Sequence, residues 1–196
     1  MILDPTEVLE IQTQRLVLKV LDPSFADKII DYYKGNQQHF EGSIPTLHKN
    51  FNTVKFQVER LWQEYDLMAA QKHVRFFLFK KDDNAFKNII GDITISNIMH
   101  GSFLSCILGY KIDKDHQNKG YTKEALIRII DFIFNNLNLE RIQCDIGMYN
   151  KRSVYLIEKL GFKKEGISRS YIRIGKERKD HLRYSLTIDD INNETD

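Results

Sequence analysis

The chain has 196 residues, 42% of them hydrophobic and 29% charged, with a formal net charge of +2. That length supports one domain spanning 1–196 with a sizeable core, and the composition is that of an ordinary globular protein. The near-neutral balance excludes a bulk basic field for nucleic acid, and no apolar run approaches the ~20 residues of a membrane span.

Two cysteines, Cys106 and Cys144, lie in apolar strand-like runs. They read as buried thiols rather than a disulfide framework, which suits a reducing cytoplasm. Met1 to Pro5 lacks the basic start and apolar core of a secretory leader.

Ile11 to Leu21 alternates apolar and polar residues and is expected to form a first strand. Asp22-Pro23-Ser24 starts a helix carrying Phe25, Ile29, Ile30 and Tyr33, and Gly35 ends it. Residues 37–50 read as a loop, and Asn50 is expected to cap a longer helix through Ala70. Val74–Lys80 and Asn88–Met99 are β-rich runs, separated by the turn-forming Asp82-Asp83-Asn84. Ser105–Ile112 forms a third strand of this group, and a helix follows Gly120. Arg141–Ile146 is a strand, Asn150–Leu160 a helix, and Gly161 its stop. Residues 167–174 and 178–188 bracket Gly175-Lys176 as a terminal hairpin. This order predicts an α/β domain around a mixed sheet.

The chemistry concentrates at Gln117-Asn118-Lys119-Gly120-Tyr121-Thr122, between strand 107–112 and the helix-like run from Glu124 to Phe134. A polar, glycine-bearing turn at a helix N-terminus presents free N–H groups and the positive end of the dipole, a place for a phosphate or diphosphate. Neither G-x-x-x-x-G-K-[ST] nor G-x-G-x-x-G occurs, so a P-loop NTPase and a Rossmann turn are not expected. The six histidines are scattered, without metal-ligand spacing. A second constellation, Asn150-Lys151-Arg152-Ser153, opens the next helix. Asn150 suits a helix cap or an amide-rich ligand, and Ser153 suits a solvated or backbone-bonded serine as well as a reactive one.

Together, Leu108-Gly109-Tyr110-Lys111-Ile112, Gln117 through Ala125, Asn150 through Ser153 and Glu158 through Gly166 resemble the GNAT family of acyl-CoA-dependent N-acetyltransferases. The ending Gly175 to His181 is similar to the branch that acetylates bacterial ribosomal-protein N-termini. The resemblance spans about residues 12–188. It implies a mixed, mostly antiparallel central sheet flanked by helices, with splayed central strands. It also implies acetyl-CoA as cosubstrate, without a metal. Gln117, Asn118, Lys119, Gly120, Tyr121 and Thr122 would hold the diphosphate; Thr122 departs from the family's usual Gly or Ala. Backbone of Tyr110, Lys111 and Ile112 would pair with the pantetheine arm and polarise the thioester. Asn150 and Ser153 would complete the cofactor wall.

The resemblance also guides the catalytic expectations. Relatives in other branches carry a tyrosine acid where this chain has Ile157, and the ribosomal-protein branch points instead to a serine matching Ser153. Ser153 is therefore the expected general acid, with Tyr155 as competitor. The branch's glutamate base falls on Ile172. Asp92, Glu158 and Asp180 are the carboxylates of interest, Asp92 foremost because it interrupts an apolar strand, and His181 is a further candidate. The acceptor is expected to be a peptide or protein N-terminus or, alternatively, a small amine such as a polyamine or an amine antibiotic. A non-catalytic acyl-CoA-binding module is the reading from a different class. Nucleic acid and membrane are not expected partners, and an oligomer is compatible with the sequence.

Overall fold

The computed structural model describes residues 9–192. The segment Met1 to Pro5, read above as lacking the features of a leader, lies outside them. The described residues form one eight-stranded sheet in the order β1-β2-β3-β4-β5-β6-β8-β7. The strands are β1 (Glu10–Gln12), β2 (Leu16–Lys19), β3 (Val74–Lys80), β4 (Gly91–Met99), β5 (Ser105–Ile112), β6 (Arg141–Gly147), β7 (Lys163–Ile174) and β8 (Glu177–Thr187). Every neighbouring pair is antiparallel except β5 and β6. The helices are α1 (Ala26–Gly35), α2 (Gln37–Phe40), α3 (Val54–Ala69), α4 (Tyr121–Asp131), α5 (Lys151–Lys159) and α6 (Ile188–Asn192). The mixed, mostly antiparallel sheet flanked by helices is the expected architecture. Among the described residues no helix is long and apolar enough to cross a membrane.

The alternation along β3 explains the layering. Phe76 and Leu78 join the core under α4 and α5 with Ile93, Leu108, Leu126, Ile142 and Ile157. Phe77 and Phe79 join a second core with Ile29 and Tyr33 of α1, Leu61 of α3 and Phe40 of α2. A strand covered on both faces reads as a continuous apolar run, as Val74 to Phe79 does. Cys106 and Cys144 are both free and buried. Burial pushes each thiol up to about 12, which keeps both inert near neutral pH.

Several boundaries differ from expectation. The first strand is instead a hairpin of β1 and β2, because Thr13 folds the chain back. Its N–H donates to Leu16 O at 2.9 Å, and its hydroxyl oxygen accepts from Leu16 N at 2.9 Å. The long helix starts at Val54, not at Asn50, since the Thr53 side chain accepts from Phe56 N. The 37–50 segment is not all loop: α2 forms there and buries Phe40. Helix α4 runs on into a π-type turn over Phe132–Asn136, which keeps Phe132, Ile133 and Phe134 all buried. Strand β7 begins at Lys163, ahead of residue 167, and α6 was not foreseen.

The feature that positions the site is the parallel junction. Strands β5 and β6 pair only through Ser105↔Arg141, Cys106↔Ile142 and Ile107↔Gln143. Beyond these pairs the two strands separate, which opens a gap in the middle of the sheet.

Candidate active site

Antiparallel pairing fixes which backbone groups of β5 face that gap. Asp113 N donates to Ile90 O at 2.8 Å. Hydrogen-bonded and non-bonded pairs alternate along an antiparallel ladder, so Lys111 points its N–H and C=O at Asp92 on β4. Tyr110 and Ile112 point theirs away from β4, toward β6. Their edge has no β6 partner, because pairing stops at Ile107. An unpaired strand edge invites an extended, amide-bearing ligand to add itself as a strand.

The edge leads into the glycine turn. Asn118 and Gly120 take the left-handed conformation, with φ of 57° and 79°. The N–H groups of Asn118, Lys119, Gly120, Tyr121 and Thr122 donate to no acceptor among the described residues. Five unpaired donors at a helix N-terminus form an anion cradle. Lys123 and Arg152 line the same cleft and add positive charge.

The cradle is fixed from three sides. Before it, Asn36, between α1 and α2, is buried; its Nδ2 donates to Asp113 Oδ2 at 2.7 Å and its Oδ1 accepts from Lys114 N at 2.8 Å. Asp113 Oδ1 also meets His116 Nδ1 at 2.8 Å. After it, Arg15 donates to Lys119 O at 3.0 Å and to Glu124 Oε2 at 2.7 Å, while its guanidinium stacks on the Tyr121 ring. Glu124 also accepts from the Thr13 hydroxyl. Burial alone would raise the Glu124 carboxyl, but these bonds outweigh it and hold the group below its ordinary range. Across the cleft, Arg152 of α5 donates to the Gln117 side chain, whose amide nitrogen reaches His39 of α2.

The cleft has a volume of about 620 Å³. Tyr110, Lys111 and Ile112 form one wall, the turn its mouth, and Asn150 and Ser153 the opposite wall. Of the expected cofactor residues, Lys119 alone does not line it; its contribution is a backbone N–H and the carbonyl held by Arg15. Asn150 caps α5, its Oδ1 accepting from Ser153 N at 3.1 Å. Ser153 is half-buried, and its hydroxyl has no hydrogen-bond partner among the described residues. Its carbonyl accepts a long bond, 3.4 Å, from the Tyr110 hydroxyl. Burial pushes that phenol well above its ordinary value, so it stays protonated. Tyr155, the competitor of Ser153, is exposed at the cleft rim.

Asp92 does not reach the cleft. It is fully buried and its Oδ2 accepts from Lys111 Nζ at 2.9 Å. Burial alone would lower the lysine; the carboxylate outweighs it and raises the lysine above its ordinary value. Asp92 is the counter-charge of Lys111, and a sealed, ion-paired carboxylate has no path to a substrate proton. Glu158 accepts from Tyr184 Oη at 2.9 Å, and Asp180 accepts from Ser170 N at 2.7 Å. Both are thereby engaged in structural bonds.

A second groove, about 670 Å³, adjoins the first through Phe40 and Ile44, which line both. Pro45, Phe51 and Ile174 make much of its wall, so the 36–53 segment and the β7–β8 turn meet here. No local pattern in the sequence points to Arg15, whose side-chain partners lie more than a hundred positions away.

The donor set fits an acyl-CoA: unpaired amides for a diphosphate, then an unpaired strand edge for an amide-bearing arm. Comparison with known proteins agrees. The acetyltransferase (GNAT) domain family matches residues 15–163. The chain is 32% identical over 178 residues to the [ribosomal protein uS5]-alanine N-acetyltransferase of Escherichia coli K12, covering 91% of this chain and 90% of that protein. It is 29% identical over 133 residues to the spermidine N(1)-acetyltransferase of Vibrio cholerae, covering 63% of this chain and 73% of that one. The crystal structure of the ribosomal-protein-S5-alanine acetyltransferase from Vibrio fischeri superimposes with a TM-score of 0.85 at 28% identity, over 93% of this chain and 98% of that one. With its splayed strands, its amide cradle and a family match across most of its length, this chain belongs to the GNAT family of acetyltransferases.

Proposed function

We propose that this enzyme transfers an acetyl group from acetyl-CoA to the primary amine of a protein N-terminus, such as that of a ribosomal protein. The observation that carries the donor is the unpaired edge of Tyr110 and Ile112 running into the free amides of the glycine turn. Acetyl-CoA supplies the activated acyl carbon when bound. The cradle from Asn118 to Thr122 holds its diphosphate, with Lys123 and Arg152 balancing the charge. The Tyr110 N–H, aimed into the gap, polarises the thioester carbonyl, a donor preorganised where charge develops. Ser153, across the cleft, gives its proton to the departing thiolate.

The acceptor reading rests on the composition of the second groove. Phe40, Ile44, Pro45, Phe51 and Ile174 offer apolar contact to the side chains that follow an N-terminal amine. Glu41 and Glu177 are its acids, but Glu177 already pairs with Lys179, and Lys176 adds a positive charge. A polycation gains little there. The relative acting on ribosomal protein uS5 aligns over most of the chain, whereas the spermidine relative aligns over less of it.

The test is thiol release from acetyl-CoA with a panel of alanine- and serine-starting peptides, polyamines and amine antibiotics. Turnover with the peptides supports the reading. Turnover confined to polyamines or antibiotics overturns the acceptor while keeping the chemistry. Coenzyme A binding without turnover across the panel would establish a binding module instead.

A further inference from the structure

The strand registers place a set of side chains in one row on the acceptor face of the sheet. Continuing the β5–β6 count past its last pair sets Lys111 level with Gly147 across the open gap. Gly147 pairs with His181 on β8, and Lys111 pairs with Asp92 on β4. Tyr110 and Ile146, one residue earlier on each strand, pack into the core under α4 and α5. Side chains alternate along a strand, so Asp92, Lys111, Gly147 and His181 all face the other way. A Cβ at Gly147 would meet no atom within 4 Å. Open space therefore stands over Gly147, the position between Lys111 and His181 in this row.

Resting on the reading that this site acetylates an amine, we propose that His181 is the general base, taking the acceptor's proton on Nε2. The ring is only 4% exposed, and its Nδ1 lies 3.1 Å from Lys179 O. A carbonyl only accepts, so Nδ1 carries the hydrogen and Nε2 keeps its lone pair. Nε2 has no partner among the described residues, yet it is not among the buried atoms sealed away without one. The Tyr171 ring of β7 meets the imidazole edge-on at 5.8 Å and supports its orientation.

The neighbouring ionisable side chains on this face of β5, β6 and β8 are engaged. Asp145 of β6 takes Arg183 of β8 at 3.2 Å and Gln143 at 2.6 Å. Lys111 is held by Asp92 at 2.9 Å, and Lys179 by Glu177. An imidazole whose Nε2 keeps a free lone pair suits the remaining task. A fixed Lys111 ammonium across the gap disfavours a protonated acceptor, which helps the proton leave toward His181.

The step balances. The amine nitrogen forms a bond to the acyl carbon and the carbon–sulfur bond breaks. The amine proton passes to His181 Nε2, the thiolate takes the Ser153 proton, and the Ser153 oxygen recovers a proton from solvent as the imidazolium releases its own. Base and acid stand on opposite faces of the sheet, with the reacting carbonyl in the gap between them.

The experiment compares wild type with His181→Gln and His181→Ala, using whichever acceptor in the panel the wild type turns over. Coenzyme A affinity and thermal midpoint are measured on each variant. We expect kcat to fall by about 100-fold or more, with coenzyme A affinity kept. The acidic limb of the kcat–pH profile should vanish, and added imidazole should partly restore His181→Ala. A folded, coenzyme A-binding variant that keeps the wild-type kcat and acidic limb overturns the proposal. Should both variants fail to fold, His181→Asn keeps a polar side chain of similar reach, and a folded His181→Asn with the wild-type kcat overturns the proposal too. Failure of the wild type on every amine would instead refute the acetyl-transfer reading beneath it.

Discussion

Arg15 and Glu124 lock the amide cradle from behind: the guanidinium Nε donates to Glu124 Oε2 at 2.7 Å while Nη1 of the same group donates to Lys119 O at 3.0 Å. Glu124 sits in the first turn of α4, so the β1–β2 turn is tied both to the helix and to the loop that precedes it. The pair is partly exposed, with Arg15 44% accessible at its side chain. Such pairs contribute about 0–1 kcal/mol to stability.

The consequence is a separation of effects. Arg15→Met should leave the thermal midpoint nearly unchanged yet free the Lys119 peptide to rotate. We expect the KM for acetyl-CoA to rise roughly tenfold, the equivalent of about 1.4 kcal/mol. Arg15→Lys should recover little, because an ammonium lacks the planar fork that reaches two acceptors and stacks on Tyr121. Titration calorimetry with coenzyme A checks this; unchanged affinity in Arg15→Met would show that the turn holds its shape unaided.

Gly120 is required by the same loop for two reasons. Its φ of 79° lies in the left-handed region, and a Cβ there would stand 3.2 Å from Arg15 Nη2. The left-handed conformation costs an L-residue about 1–2 kcal/mol, and the added methyl would press on the clamp. Gly120→Ala should weaken coenzyme A binding by roughly the same tenfold factor, about 1.4 kcal/mol. Gly120→Glu should abolish binding by bringing a carboxylate beside the diphosphate. Retained affinity in the glutamate variant would place the phosphates elsewhere.

Asp92 and Lys111 form an ion pair whose acid is fully buried, and Asp92 Oδ1 has no partner among the described residues. Removing one member of a buried pair strands the other charge, at a cost of about 3–5 kcal/mol. Asp92→Ala should lower the unfolding free energy by that amount in urea, and adding Lys111→Met should restore much of it. The lysine is raised in the folded state. Its contribution is therefore complete below the unfolded lysine value of about 10.4 and is lost only as pH climbs through the folded value. Stability at pH 6 and pH 8 should be equally sensitive to Asp92→Ala. A loss below about 1 kcal/mol, far short of the buried-pair range, would mean the charge is relieved by other means.

What the sequence disclosed follows from the range of the interactions involved. The glycine turn, the Asn150 cap and the strand runs at 74–80, 105–112 and 141–146 are local patterns, and each appears where expected. The hairpin at Thr13 escaped because Thr13-Gln14-Arg15 contains neither glycine nor proline; a threonine hydroxyl makes that turn. Helix α2 is four residues long, too short to show a period. Asp92 looked like a base because a lone acid in an apolar strand is conspicuous. Its counter-charge became visible only once the β4–β5 register placed it opposite Lys111. His181 beside Gly147 likewise depends on β6 pairing with β8, strands whose nearest ends, Gly147 and Glu177, are 30 positions apart.

Ser153 tests the other half of the chemistry. Its N–H is held by Asn150 and its carbonyl by Tyr110, so the backbone that carries the hydroxyl is fixed without help from the hydroxyl itself. Ser153→Ala should therefore keep both the helix and the coenzyme A affinity. A free thiol ionises near pH 8.5, so its thiolate is a fair leaving group that needs only modest assistance. The loss in kcat should then fall at or below the lower end of the about 10²–10⁴-fold expected for general acid catalysis. Because the variant lacks the acid and not the donor site, kcat should fall while the KM for acetyl-CoA stays level, the signature of an interaction made chiefly in the transition state. An unchanged kcat at saturating substrates would remove Ser153 from the mechanism. A parallel loss of coenzyme A affinity would reassign the hydroxyl to binding the donor.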